Sequence, residues 1–318
     1  MLHQGGALRG VRQWNRRGYR ILMYHDFADA PGMQEALARQ CDHIRRHYNV
    51  VTLTDIAAYL REGASLPDNA LAVTVDDGGR DFLLTAHPIF KTHGIPVIVY
   101  LVSGFLDKKL WLWWDQVHLV VEGTPRTSFQ FSLAPGLPPT PFIIETMEQR
   151  RQACETIKEA MKKLREAERI EILSGLPRLL DVELPHEPPP HMAPLAWSEV
   201  RHLAQNGVEI GAHTVTHPIL SRIMDPAELL QEIGESKKRI EEELHQPVRH
   251  FCYPYGRLAH FNEDTVKAVE KCGFHTSVTA EPGLNFDGAH PFQLKRLAVE
   301  PGTPELYFQE QLAGLHSP

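Results

Sequence analysis

Leu71-Ala72-Val73-Thr74-Val75-Asp76-Asp77-Gly78-Gly79 is the stretch from which the fold is read. A short apolar run goes straight into two adjacent acids and then two glycines, as a buried strand does when it ends at a working surface. Residues 71–76 are one of seven such runs. The others are 19–25, 96–102, 208–212, 250–253, 275–279 and 294–299. Most are separated by segments of helical period. In 226–245, Leu229, Ile233, Ile240 and Leu244 share one face, with Glu and Lys on the other. Alternating strand and helix argues for a parallel sheet, and seven units argue for closure. The expected fold is therefore α/β, a (β/α) barrel with one unit missing or distorted.

The two acids gain meaning from a second strand end. The run 208–212 leads into His213-Thr214-Val215-Thr216-His217, with imidazoles spaced i, i+4. One carboxylate and two imidazoles form the three-ligand set of a catalytic zinc, with a position left for water. The other carboxylate is then free to act as a base. Asp-Gly is also a common turn dipeptide. Two acids at the mouth of an apolar strand, however, are costly to bring together unless something positive lies between them. The C-terminal ends of strands are where barrel enzymes place their catalytic groups. A helical HExxH site would need Glu at 214. Here Pro218 disfavours α conformation at His217, so this segment should be a tight loop or a single turn.

Two further strand ends carry candidates. Phe251-Cys252-Tyr253-Pro254-Tyr255-Gly256 suits a packing turn and equally a rigid turn that aims the Tyr255 N–H into the mouth as an oxyanion donor. His25 ends the first run. A lone histidine beside apolar residues is more often a core side chain, and its place at a strand end is what makes it a candidate. Trp111, Trp113 and Trp114 could stack on sugar rings, but such clusters more often pack, and they are left out of the site.

At 318 residues the chain can bury one large α/β domain or two small ones. We expect one catalytic domain over 1–318, with an inserted subdomain or cap at 105–194. That stretch holds two proline-rich pieces, 135–141 and 185–194, and a charged helix over about 144–173. A formal charge of -7, with no Lys/Arg run near the motifs, disfavours nucleic acid as partner. Cys41, Cys154, Cys252 and Cys272 are scattered and read as reduced thiols. Arg9, Arg12, Arg16 and Arg17 precede the first strand without the apolar core of a secretory signal, and no run could span a bilayer. The expectation is cytoplasmic, although an exported chain with its signal removed would look the same.

Thr-Val-Asp-Asp-Gly, His-Thr-Val-Thr-His and Tyr-Pro-Tyr-Gly, in that order, resemble the motifs of the polysaccharide deacetylases of carbohydrate esterase family 4. The opening Ile21-Leu22-Met23-Tyr24-His25-Asp26 and the segment 195–220 are similar to that family too, so the resemblance covers about 19–103 and 195–300. It implies a distorted (β/α)7 barrel, a divalent metal and removal of acetyl groups from sugars. It also implies Asp76 as base, Asp77, His213 and His217 as metal ligands, and the Tyr255 N–H as oxyanion donor. The chain departs from many members twice: Cys252 stands where they have Arg, and 294–300 lacks a histidine. In both respects it resembles the permuted-motif branch that includes poly-β-1,6-N-acetylglucosamine deacetylases, which implies His25 as general acid and Arg296 as the relocated arginine. The expected activity is metal-dependent hydrolysis of an N-acetylated sugar or polysaccharide, with zinc as the ion favoured by one O and two N ligands. The alternatives are an amidase for a small non-sugar substrate and a non-catalytic carbohydrate-binding protein.

Overall fold

Ten strands occur among residues 2–27 and 31–315, which a computed structural model of the chain describes. They are β1 (Arg20–Tyr24), β2 (Asn49–Val50), β3 (Ala70–Val75), β4 (Val97–Leu101), β5 (Ser128–Phe131), β6 (Thr140–Ile143), β7 (Glu209–Ala212), β8 (His250–Cys252), β9 (Thr276–Pro282) and β10 (Leu294–Ala298). The chain divides into two compact units, Met1–Asp107 with Ala193–Pro318, and Lys108–Met192.

In the first unit seven strands pair in parallel in the order β1-β10-β9-β8-β7-β4-β3, and β3 returns to β1, closing a barrel. Two residues of β2 lie outside this ring, beside the start of β3. Side chains alternate across a strand. Leu71, Val73 and Val75 of β3 point outward and pack with Leu22, Val97, Val99 and Leu297 under the surrounding helices. Ala70 and Ala72 point inward and meet Ile21, Ile98, Tyr100, Cys252, Val278 and Leu294 inside the barrel. That inward phase continues to Thr74 on β3 and Asp76 just beyond it, to His25 beyond β1, to His213 beyond β7 and to Arg296 on β10. The interior is filled: a Cβ at Gly211 would lie 2.4 Å from the Tyr100 ring, so only glycine fits there.

Register sets the level of each strand end. Tyr24 pairs with Val75, so His25 follows at the height of Asp76. Ala212 pairs with both Leu101 and Phe251, so His213 follows at the height of Cys252. Between β9 and β10 the register shifts, and Arg296 pairs with Pro282. The helices are locally specified. Thr52 and Asp55 form a capping box for Leu53–Glu62, and Asp225 caps Pro226–Leu244 with Pro226 in its first turn. The latter helix buries Leu229, Ile233, Ser236 and Ile240.

The second unit contains an antiparallel hairpin of β5 and β6, with Phe129 stacked on Phe142 at 4.9 Å. Its own core includes Val117, Phe131, Ile144, Ile157 and Met161. Three local differences from the sequence reading stand out. The hairpin was not expected, nor was the helix Leu2–Trp14. The charged helix expected over 144–173 is two helices, Met147–Met161 and Glu166–Ser174. The second begins where Glu168 reaches back to the Arg165 N–H. None of the helices described is long and apolar enough to cross a membrane.

Candidate metal and catalytic site

Four loops at the C-terminal ends of β1, β3, β7 and β8, together with β10 itself, bring all seven candidates together. Nε2 of His213 and Nε2 of His217 are 3.2 Å apart, and Asp77 Oδ1 lies 3.4 Å and 3.5 Å from them. The two distances to the carboxylate exceed an ordinary N–H···O bond. Donors 2.0–2.1 Å from one tetrahedral ion would lie about 3.3–3.4 Å from each other, so the three atoms fit a single divalent cation. The Nδ1 of His213 faces the Cys252 carbonyl at 2.7 Å. With its N–H given to that oxygen, the imidazole turns its lone pair on Nε2 toward the other two donors.

The backbone is held in an uncommon state to achieve this. Eight non-glycine residues described have positive φ, and four are here: Asp77 (72°), Thr214 (68°), His217 (60°) and Tyr255 (59°). Clustering of such residues marks functional sites, because the surrounding structure must impose them. Glu232 imposes two. Its carboxylate accepts the Val215 and Thr216 N–H groups at 3.0 and 2.9 Å and the Thr216 hydroxyl at 2.8 Å, tying the histidine loop to the helix Pro226–Leu244. Gly78 (φ 80°) has no room for a Cβ, which would meet Leu101 at 2.8 Å. At the β8 end the Gly256 N–H bonds the Pro254 carbonyl at 2.6 Å, and that tight turn sets the Tyr255 ring edge-on to His217, centroids 4.8 Å apart.

Asp76 and Arg296 form a buried pair, 2% and 1% exposed. Nη1 and Nη2 of Arg296 reach the two carboxylate oxygens at 2.7 and 2.8 Å. The remaining donors go to Thr74 Oγ1 at 2.9 Å, Cys252 Sγ at 3.2 Å and the Thr279 carbonyl at 2.6 Å. All five guanidinium N–H groups therefore have acceptors. Burial alone would raise the Asp76 pKa. The Arg296 charge overcomes that, with His25 adding to it, and holds the carboxyl below its ordinary range. Burial likewise opposes the charge on Asp77, and His213 and His217 bring its pKa down. His25 Nε2 is 3.5 Å from Asp76 Oδ2, its ring 44% exposed at the mouth. Burial pushes the Cys252 thiol up, so it remains S–H, 3.4 Å from Asp76 Oδ2.

Glu232, Thr74 and Asp81 escaped the sequence reading. Each acts through hydrogen bonds to distant backbone or to another side chain, and no local pattern announces such a role. Only Thr74 carried a signal, as an inward polar residue in an apolar strand.

The family model for polysaccharide deacetylase matches residues 63–277. YxkH of Bacillus subtilis (strain 168), a protein named for the same family, is 35% identical over 112 residues, covering 35% of this chain and 39% of its own length. Among solved structures, IcaB from Ammonifex degensii aligns over 93% of this chain and 96% of its own with a TM-score of 0.60 at 17% identity. The Streptococcus pyogenes deacetylase PplD, in complex with acetate, aligns over the same shares with a TM-score of 0.58 at 17% identity. At such identities the structures speak for the fold, a (β/α)7 barrel. The family model, matching more than half of the chain and spanning both the paired acids and the paired histidines, shows that this chain belongs to the polysaccharide deacetylase family, carbohydrate esterase family 4.

Proposed function

We propose that the protein hydrolyses the N-acetyl amide of an N-acetylated sugar or polysaccharide, with a divalent cation, zinc first among them, held by Asp77, His213 and His217. The observation that carries this reading is the convergence of three ligand atoms, 3.2 to 3.5 Å apart, beside a buried carboxylate, Asp76, that is paired with Arg296. When bound, the cation supplies polarisation of the acetyl carbonyl and acidification of the attacking water.

The chain's residues supply the rest. Asp76 takes the proton of the water. Held below its ordinary range by Arg296, that carboxylate is ionised and able to accept it. Arg296 grips both oxygens of Asp76 and so fixes its direction. The Tyr255 N–H, on its tight turn, donates to the oxyanion that forms at the carbonyl carbon. His25, half exposed beside Asp76, protonates the departing nitrogen. Without that proton a sugar amine is a very poor leaving group.

The test pairs metal analysis of the purified protein with acetate release from N-acetylglucosamine oligomers. We expect one equivalent of divalent metal, acetate release that a chelator abolishes and zinc restores, and loss of the metal in His213→Ala. Asp76→Asn should keep the metal and lose turnover. A His213→Ala protein with full metal and full activity would remove the triad. Cleavage of cyclic amides or acetylated polyamines, with every acetylated glycan left intact, would move the activity to a small amide substrate.

A further inference from the structure

Asp81 is a half-buried carboxylate beside the site that takes no part in the chemistry above. Its Oδ2 accepts the Phe27 N–H at 2.6 Å, and its Oδ1 accepts the Phe82 N–H at 2.9 Å. Phe27 is two residues beyond His25. Its ring, 1% exposed, packs against Tyr24, Phe82 and Phe90 with centroids 5.7, 6.2 and 6.2 Å away. The stretch from His25 to Phe27 thus leaves β1 and is tied, at its far end, to the loop that follows β3. Gly79 leaves room for the other carboxylate oxygen: a Cβ there would sit 2.5 Å from Asp81 Oδ1.

We propose that Asp81 is a positioning residue for His25, clipping the His25–Phe27 segment to the loop that carries Asp76 and Asp77 and so holding proton donor and base at a fixed separation. The proposal rests on the reading of His25 as the acid. A simpler role, capping the short helix Phe82–Ala86, uses only one oxygen and would be served by Ser or Asn. The bond to Phe27 is the part that capping does not require. Keeping a carboxylate there is costly. Burial and the nearby charges of Asp26 and Asp77 raise its pKa to about 6 even though two N–H groups hold it down.

The experiment compares Asp81→Ser, Asp81→Asn and His25→Ala with the unaltered protein. Each is assayed with N-acetylglucosamine oligomers and with 4-nitrophenyl acetate, whose leaving group needs no proton, and each is checked for zinc content. Serine keeps a cap for Phe82 but is too short to reach Phe27, whereas asparagine keeps an oxygen for that N–H. Asp81→Ser should retain its zinc and lose about tenfold or more in kcat on the amide, the scale of a small misplacement of a reacting group. Its KM and its ester hydrolysis should stay near those of the unaltered protein. Asp81→Asn should recover most of the amide rate. Equal losses on amide and ester, loss of zinc, or an undiminished amide rate in Asp81→Ser would each overturn the proposal. If Asp81→Ser does not fold, Asp81→Asn decides, since an amide rate as low as that of His25→Ala would contradict the clip. His25→Ala separates the two levels. An amide-selective loss there, absent from Asp81→Ser, sinks only the role of Asp81. A loss in His25→Ala equal on both substrates removes His25 as the acid, and the clip with it.

Discussion

Arg296 has an acceptor for each of its five N–H groups and almost no contact with water, so any replacement must either fill those bonds or break them. Lysine carries the charge but not the fork, and a single ammonium cannot hold both oxygens of Asp76. Arg296→Lys should therefore fold and bind metal yet lose turnover by roughly tenfold or more, as expected for a misaimed base. Arg296→Met leaves Asp76 buried and unpaired, which should lower stability by about 3–5 kcal/mol. Adding Asp76→Leu to Arg296→Met should restore most of that stability while activity stays absent, readable from thermal melts and acetate release. A fully active Arg296→Lys protein would take Arg296 out of the site. Asp76, Asp77, His213 and His217 were legible because each pair sits in one contiguous motif at a strand end. Glu232 and Asp81 were not, since each holds a loop through backbone N–H groups that a sequence does not display.

Strands such as β1, β3 and β4 were legible as elements because every residue in them is buried on one face or the other, which leaves runs that are almost wholly apolar. The break after Met161 was not legible. Ile157, Met161 and Leu164 continue one apolar stripe through it, with neither Gly nor Pro to mark a stop. At the opposite ends of the strands from the site, β7, β8 and β9 meet the helix Leu53–Glu62 in a polar junction. Glu209 accepts the Leu53 and Thr54 N–H groups at 2.9 and 3.2 Å. His250, 3% exposed, lies 2.8 Å from the Thr276 hydroxyl and 3.3 Å from that of Thr54. Burial pushes the His250 imidazole down to about 3, with His275, Arg249 and Lys237 adding to the effect. An unfolded histidine titrates near pH 6.5. The neutral ring therefore favours the fold above that pH, and the advantage is lost as pH falls from about 6.5 toward 3, by on the order of a few kcal/mol. His250→Gln, which has no proton to gain, should show a flatter decline of unfolding free energy between pH 6.5 and 4 in denaturant titrations. Parallel curves for the two proteins would show that His250 is not what couples the junction to pH.

At the scale of the whole molecule, Lys108–Met192 is a compact unit of its own, and its hairpin was hidden from the sequence because Ser128–Phe131 and Thr140–Ile143 are short and flank a proline-rich stretch. We propose that 108–192 is dispensable to the metal centre. The two places where the barrel unit gives way to it are each fastened within that unit. Asp107 accepts the Trp197 indole N–H at 2.8 Å and pairs with Arg239 at 2.9 Å. On the returning side the Ala193 carbonyl accepts the Arg80 N–H at 2.9 Å, and the Leu195 N–H bonds the Gly78 carbonyl at 2.9 Å, one residue beyond Asp77. The hydrophobic core of 108–192 is also separate from the two clusters that build the barrel. Replacing 108–192 by a short Gly/Ser linker removes one core and leaves the fastenings of the other. The trimmed protein should unfold cooperatively, bind one equivalent of zinc and hydrolyse 4-nitrophenyl acetate at a rate within about an order of magnitude of the parent, since the ester needs only the groups on the barrel. Glycan deacetylation that falls while ester hydrolysis persists would assign 108–192 to substrate binding, as expected of a cap. Loss of the zinc together with the cooperative transition would show instead that the barrel cannot form without the insertion and that the boundary at Asp107 and Ala193 is drawn in the wrong place.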